Sequence, residues 1–193
     1  MGISWGAVVR PKGGQTISGD IYLVEPFDPH GLQVCVIDGL GGGREAARAA
    51  EGAAAVMRAN VGADPALLVQ LAHRAIQGTR GAVLALMSFN LQQRSMSFIG
   101  VGNIGAHVYS SAGIKPISKN GIVGYRLPHL LKLTYNYNFG DTFVLFSDGV
   151  SGRFSLDPAI TPSLPPQSLA ERILEGYGKT TDDATVVVVR VTE

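Results

Sequence analysis

The chain has 193 residues, of which 46% are hydrophobic, and its 16 basic and 15 acidic residues give a formal net charge of +1. A chain of this length can bury a core without disulfides or structural zinc, and we expect residues 1–193 to form one domain. The near-neutral charge favours neither nucleic acid nor an anionic membrane as a partner. The start of the chain does not resemble a signal peptide and no apolar run is long enough to cross a membrane, which predicts a cytoplasmic protein.

The first part of the chain predicts three strands. Ser4–Arg10 and Asp20–Glu25 are short segments of β character around a turn-rich connector. The apolar run Leu32–Ile37 predicts a buried strand that ends at Asp38. The single cysteine, Cys35, lies inside this run, where we expect a buried hydrophobic side chain and not a reactive thiol.

Two helices are expected next. Arg44–Asn60 is rich in alanine, arginine and glutamate, which favour helix. The second helix has Asp64 as its N-cap, Pro65 at its first position and Gly78 at its end. We expect its apolar face to consist of Leu67, Leu68, Leu71 and Ala75.

From Gly81 onward the hydrophobic period changes to two, which predicts strands. The first three are Ala82–Asn90, Ser95–Gly100 and Ala106–Ser110. Their connections are too short for a helical crossover, so we expect an antiparallel meander. The remaining elements are strands at Leu131–Asn136, Thr142–Ser147 and Ala184–Val191 and a helix at Pro165–Gly176. This order is typical of an α+β layered domain.

Two glycine motifs suggest nucleotide binding but fail on context. Gly100–Gly105 reads GVGNIG, yet the residues after it alternate like a strand, whereas a dinucleotide-binding motif opens a helix. We interpret it as a hairpin. Gly39–Gly43 does precede a helix, but Arg44 stands where a further glycine would be needed. The phosphate-binding pattern GxxxxGK[ST] does not occur, which excludes a phosphate-loop NTPase.

Four aspartates lie at the ends of predicted strands. Asp38 and Asp148 follow apolar runs and precede glycine, whereas Asp20 and Asp182 begin strands. Because the exit of one antiparallel strand lies beside the entry of its neighbour, the four can share one edge. Each of them alone is more simply a turn or cap residue. Together they would repel unless divalent cations lay among them, and an all-oxygen set favours Mg²⁺ or Mn²⁺ over zinc.

The order of these motifs resembles that of the metal-dependent serine/threonine phosphatases of the PP2C class. Within the class it resembles the small SpoIIE-type bacterial phosphatases that act on stress-signalling complexes, the stressosomes. The motifs are Gly19-Asp20, VIDGLGGG at Val36–Gly43, FSDG at Phe146–Gly149 and DDATVVVV at Asp182–Val189. Further likeness lies in TRGA at Thr79–Ala82, in GVGNIG, and in GIVGYRLP at Gly121–Pro128.

The resemblance implies a fold and a cofactor. The expected fold is a four-layer α-β-β-α sandwich of two antiparallel sheets flanked by helices. The interval between TRGA and FSDG is short, so we expect little or no flap subdomain. The expected cofactor is a pair of Mn²⁺ or Mg²⁺ ions, with Mn²⁺ favoured.

The resemblance also implies roles for single residues. Asp38 would bridge the two ions and hold the water that attacks phosphorus. Asp148, also assigned to catalysis, and Asp182 would hold one ion. Asp20 and the backbone carbonyl of Gly39 would hold the other.

Two further positions are not assigned as metal ligands. Asp183 follows the predicted ligand Asp182. We expect it to contact the metal ligands without binding metal itself, or to cap a turn. The arginine that binds substrate phosphate in eukaryotic members has no clear match near the N-terminus, where Arg10 is the nearest candidate.

The function implied is a phosphoserine/phosphothreonine protein phosphatase that acts on phosphorylated STAS-domain proteins of the stressosome, as a cytoplasmic monomer. Two alternatives stay open. One is a non-catalytic or weakly catalytic regulator on the same fold, suggested by the missing arginine and by the short interval between TRGA and FSDG. The other is a phosphatase of a small phosphorylated metabolite, which would need a deep enclosed pocket.

Overall fold

The structure is a computed structural model that describes residues 2–193. In chain order its elements are β1 (Gly2–Arg10), β2 (Asp20–Phe27), β3 (Gly31–Gly39), α1 (Gly43–Ala59), α2 (Pro65–Ala75), β4 (Ala82–Asn90), β5 (Ser95–Val101), β6 (Gly105–Tyr109), β7 (Ser118–Lys119), β8 (Leu133–Asn136), β9 (Thr142–Phe146), a 3-10 helix (Gly152–Leu156), α3 (Pro166–Tyr177) and β10 (Ala184–Thr192). No helix within this part of the chain has both the length and the apolar character that crossing a membrane requires.

The strands form two sheets. One has the order β1-β10-β9-β6 and is antiparallel throughout. The other has the order β2-β3-β4-β5-β7, and β8 also pairs with β5. Only the two-residue pair between β5 and β7 is parallel in these described elements. Residues 110–141, between β6 and β9, carry only the short strands β7 and β8, which fits the expected minimal version of the fold.

The apolar side chains form three cores, which separate four layers. Between the sheets, Val34 and Val36 of β3 pack in one cluster with Phe143 of β9 and Val187 of β10. The outer face of the six-stranded sheet packs against α1 and α2. The outer face of the four-stranded sheet packs against α3, whose buried stripe includes Leu169 as predicted. The predicted α-β-β-α sandwich is therefore confirmed.

Strand β3 lies between these cores, because its alternate side chains enter the inter-sheet core and the core under α1 and α2. Cys35 is fully buried, as predicted, and its burial raises the pKa of the thiol. A thiol in this environment packs as a hydrophobic group.

The predicted three-stranded meander is wrong in its third strand. Strands β4 and β5 pair antiparallel as expected, but β6 lies in the other sheet, where it pairs with β9. The GVGNIG segment is therefore a crossing between sheets and not a hairpin. Gly102 has a φ of +94°, which lets the chain turn out of one sheet. Packed sheets are only about 10 Å apart, so a short connection can cross between them.

The predicted apolar face of α2 is also partly wrong. Asp64 caps the helix as expected, because its side chain accepts hydrogen bonds from the backbone N–H groups of the first turn. Leu67, however, is 47% exposed. The buried positions of the helix itself are Pro65, Leu68, Val69 and Ala72. The face is rotated because the stripe continues to Ile76, just beyond the helix, which is buried in the same core.

Gly39 allows the start of α1 to pack on the end of β3. A Cβ atom at Gly39 would meet the backbone carbonyl of Ala46, and backbone cannot move aside as a side-chain tip can. We predict that Gly39→Ala lowers the free energy of unfolding by about 2–3 kcal/mol, measured by urea denaturation. The matched control is Gly176→Ala in α3, where a Cβ would meet nothing within 4 Å. The control should be neutral or stabilise by up to about 1 kcal/mol. Equal effects of the two substitutions would show that the close approach at Gly39 does not matter.

Candidate metal centre at one end of the sandwich

Asp20 and Asp38 lie opposite each other in the pairing of β2 with β3. Along β3, Val34 and Val36 enter the inter-sheet core, so the period of two places Asp38 at the end of the same face. On β2, Tyr22 packs against the same core, and Asp20, two residues before it, lies on the same face of the strand. The pattern that builds the core therefore delivers two carboxylates to its open end.

The other sheet brings polar residues to the same end. Ser147 continues the inward face of β9, Thr185 continues that of β10, and both are fully buried. The Ser147 hydroxyl accepts a hydrogen bond of 2.9 Å from the Thr185 backbone N–H. Asp148 lies two residues after the end of β9, and Asp182 and Asp183 directly precede β10. The core thus becomes polar, then acidic, at this end.

Asp38 has a raised pKa, as expected for a carboxyl group that is partly buried among other acidic side chains. Burial is the largest cause that raises its pKa, to about 8, and the negative charges of Asp20, Asp148, Asp182 and Asp183 raise it further. The other three sequence-predicted carboxylates, Asp20, Asp148 and Asp182, are therefore all within electrostatic reach of Asp38. An acid with such a pKa is only partly ionised at neutral pH when no cation is nearby.

Asp20 is buried without a partner. Burial raises its pKa to about 6, the nearby Asp183 and Asp148 charges raise it too, and the hydroxyls of Ser147 and Thr185 lower it. These hydroxyls face Asp20, but neither of its carboxylate oxygens accepts a hydrogen bond of normal geometry. A side chain only 4% exposed with two unsatisfied oxygens is costly unless a ligand occupies them.

Asp148 is fixed by two residues that the sequence did not indicate. Asn103 Nδ2 donates a hydrogen bond of 2.6 Å to Asp148 Oδ2, and Lys179 Nζ donates one of 2.6 Å to the Asp148 carbonyl. Arg10 Nη2 in turn donates to the Lys179 carbonyl at 3.0 Å. Asn103 lies in the GVGNIG segment, which crosses between the two sheets. Its proximity to Asp148 therefore becomes evident only once this crossing is known. Arg10, the predicted arginine candidate, supports Lys179.

Asp183 has both oxygens occupied. Its Oδ1 accepts from the Lys12 N–H and its Oδ2 from the Gly19 N–H, each at 2.8 Å. These bonds fasten both ends of the β1–β2 loop to the start of β10. Asp182 Oδ1 accepts a local hydrogen bond of 3.0 Å from the Asp183 N–H.

The glycines after Asp38 and Asp148 serve close packing. A Cβ at Gly149 would meet the Asp183 carbonyl, as one at Gly39 would meet α1. Neither glycine has a positive φ, and the turn after β3 uses Gly41 and Gly43, with φ of +100° and +65°. Both Asp-Gly pairs therefore bring a carboxylate next to a neighbouring backbone.

The residues present fit a hard divalent cation. The charged donors at this end are carboxylates, and the two buried oxygens of Asp20 have no protein partner. Such a donor set suits Mg²⁺ or Mn²⁺. Within residues 2–193, no three acidic, histidine or cysteine side chains already surround a common point. A bound cation would therefore draw the carboxylates closer together.

Two packed sheets flanked by helices, with carboxylates from both sheets at one end, match the arrangement that the resemblance to the PP2C-class phosphatases implies. Comparison with known proteins gives the family. The family model described as Stage II sporulation protein E (SpoIIE) matches residues 28–192, and the chain belongs to this family.

Three relatives illustrate the likeness. Phosphoserine phosphatase RsbX of Bacillus subtilis (strain 168) is 25% identical over 142 residues, which are 72% of this chain and 71% of RsbX. A chain from a structure of the bacterial stressosome, described as a modular system adapted to control secondary messenger signaling, is 36% identical. It superposes with a TM-score of 0.92 over 98% of this chain and 100% of that chain. A crystal structure of RsbX in complex with magnesium has a TM-score of 0.86 at 21% identity, over 98% and 96% of the two chains.

The raised pKa of Asp38 predicts how metal-free protein responds to pH. The folded state binds this proton more tightly than the unfolded chain, whose Asp pKa is near 3.8. Stability from this group is therefore present below about pH 4 and is lost as the pH rises toward 8. Asp38→Asn removes this titration. In the presence of EDTA, the free energy of unfolding of the variant relative to wild type should therefore rise by at least about 2 kcal/mol from pH 5 to pH 8.

The measurement is urea denaturation of both proteins at each pH. Asp28→Asn is the control, because Asp28 is exposed in the β2–β3 turn and its φ of 56° suits asparagine. A gain for Asp38→Asn that is the same at both pH values would contradict the electrostatic account.

Proposed function

We propose that this phosphatase removes phosphate from phosphoserine or phosphothreonine of a protein substrate with the help of two divalent cations, Mn²⁺ favoured over Mg²⁺. The cations would be held by Asp20, Asp38, the Gly39 carbonyl, Asp148 and Asp182. The observation that carries the proposal is Asp20, which keeps two unsatisfied carboxylate oxygens buried among the other acidic side chains. We further propose that residues 1–193 act as one cytoplasmic, monomeric phosphatase domain.

Each residue has a distinct task in this proposal. Cations bound at this site would lower the pKa of bound water and offset the charge of the phosphate oxygens. Asp38, whose pKa is raised by burial and by the charges of all the other carboxylates, would help to hold the cations and would orient the attacking water. Asn103 holds the Asp148 carboxylate in one orientation. Asp183 positions the β1–β2 loop, since both of its oxygens are already engaged.

The proposed substrates are phosphorylated STAS-domain proteins of the stressosome. Two comparisons support this choice: the 36% identical chain comes from a stressosome structure, and RsbX is a phosphoserine phosphatase. The carboxylates lie at the end of the sandwich, and the chain between β6 and β9 adds only two short strands. A site of this kind suits a protein substrate that brings its own docking surface.

Substitution of the acidic residues tests the catalytic proposal. Asp38→Asn and Asp148→Asn should each reduce Mn²⁺-dependent phosphate release by at least about 100-fold, because each removes a charge that holds a cation. Release would be measured from para-nitrophenyl phosphate and from phosphorylated stressosome proteins. Asp28→Asn, at the other end of the β2–β3 pair, should keep wild-type activity. Unchanged activity in either site variant would refute the assignment.

Substitution of Asn103 tests the support of Asp148. Asn103→Ala should weaken Mn²⁺ binding by about tenfold, measured by isothermal titration calorimetry, because the carboxylate loses its fixed orientation. Asn60→Ala is the control, because Asn60 donates to the Val56 carbonyl at the end of α1, away from the site. The control should lower thermal stability slightly and leave the Mn²⁺ affinity unchanged. The same affinity in Asn103→Ala would show that the hydrogen bond does not position a ligand.

The regulator alternative predicts a different result. A non-catalytic binding protein on this fold would retain its partner after complete metal removal and release no phosphate with any divalent cation. A metabolite phosphatase would instead prefer small phosphate esters over phosphoproteins. Turnover of phosphoproteins that requires a divalent cation would exclude the first alternative, and a preference for them would exclude the second.

A further inference from the structure

The segment Asn120–Pro128, here called the 120–128 turn, lies beside the candidate metal centre. Ile122 and Arg126 exchange two backbone hydrogen bonds of 2.9 Å, which close the turn. Val123 exchanges two with Ala82, at 2.8 and 2.9 Å, which fasten the turn to the start of β4. The segment therefore continues the sheet beside the start of β4, beyond the end of β5, and is not a loose loop.

The turn is also fastened to α2. The Gly124 N–H donates a hydrogen bond of 2.9 Å to His73 Nδ1, and Gly124 has a φ of +90° that favours glycine. Val123 is fully buried in the core under α1 and α2. None of these contacts uses the Tyr125 side chain, which is 78% exposed. An exposed aromatic side chain on a rigid support loses little conformational entropy when a partner binds it.

The position of the turn can be measured in strand spacings. Gly39, beside Asp38, pairs with Ala82, and Ala82 pairs on its other side with Val123. Neighbouring strands are about 4.8 Å apart, so the Val123 backbone lies about 10 Å from Gly39. An extended peptide advances about 3.3 Å per residue. A residue three or four positions from a phosphorylated residue in the site therefore reaches the turn.

The turn forms a cleft with an unpaired positive charge. The cleft has a volume of about 490 Å³ and is lined by Asn120, Gly121, Ile122, Tyr125, Arg126 and Pro128. In the described part of the chain, the two salt bridges are Arg58–Glu25 and Lys132–Asp64. The exposed Arg126 guanidinium thus has no carboxylate partner among residues 2–193, and its charge complements an acidic side chain on a ligand.

We propose that this cleft binds the substrate segment that flanks the phosphorylated residue, with Tyr125 packing on the segment and Arg126 pairing with a carboxylate three or four residues away. The inference rests on the proposed phosphatase function and adds a sequence preference to it. The phosphate is bound at the carboxylate end, and the cleft selects which phosphorylated segment binds there.

Phosphoserine peptides test the proposal. One set of eleven-residue peptides would carry one glutamate, moved through each position from five before to five after the phosphoserine, and a second set would carry lysine in its place. Wild type with Mn²⁺ should show at least a fivefold higher kcat/KM when glutamate stands three or four residues away on one side. Arg126→Ala should abolish that preference, and Arg126→Glu should transfer it to lysine. Tyr125→Ala should lower kcat/KM for all the peptides.

Hydrolysis of para-nitrophenyl phosphate should be unchanged in these variants, since this small ester cannot reach the cleft. Phe139→Ala is the matched control, because Phe139 packs under Arg94 near the strand ends opposite the carboxylates and is 39% exposed. If wild type shows no positional preference, or if the preference survives Arg126→Ala, the proposal that the cleft binds the substrate segment is refuted. The proposed phosphatase function would not be affected. Peptide binding to the cleft without turnover of any phosphate ester would instead overturn the phosphatase function.

Discussion

Repulsion among buried and half-buried carboxylates is the constraint on which the rest of this structure depends. Asp20 and Asp38 lie opposite each other at the end of the inter-sheet core, and both have a raised pKa. The core behind them supplies the burial that makes this arrangement costly, because it removes water that would otherwise screen the charges. A fold that holds acids in this way is stabilised by cations that bind the folded state and not the unfolded chain.

The two sheets contribute unequally to this end of the sandwich. β2 and β3 provide a direct pair of aspartates, whereas β9 and β10 place theirs just outside the strands, at Asp148 and Asp182. Residues outside a strand lack the backbone hydrogen bonds between paired strands that would fix their position. Asp148 is fixed by Asn103 and Lys179, and the start of β10 is fixed through Asp183. The supporting hydrogen bonds are thus concentrated where the sheet itself gives least support.

Much of the fold could be predicted from local patterns. The run ending at Asp38, the cap at Asp64 and the stripe of α3 follow from periodicity and from residues that end or start an element, which neighbouring residues determine. The crossing of β6 to the other sheet could not be predicted, because a short connection is compatible with either sheet. That error also concealed Asn103, whose contact with Asp148 spans 45 residues. Lys179 was missed for a similar reason: its partner, the Asp148 carbonyl, is a backbone atom with no sequence signature.

The distribution of charge separates chemistry from recognition. Acidic side chains lie at the end of the inter-sheet core, and Arg126 lies on a turn that is fastened to β4 and α2. The Val123 backbone of this turn lies about two strand spacings from Gly39. A cation-filled centre would attract any phosphate ester, so it gives little discrimination between substrates by itself. Discrimination must come from contacts beyond the phosphate. A rigid turn with an exposed tyrosine and an unpaired arginine provides such contacts without altering the acidic centre, so catalysis and substrate choice can change independently on this fold.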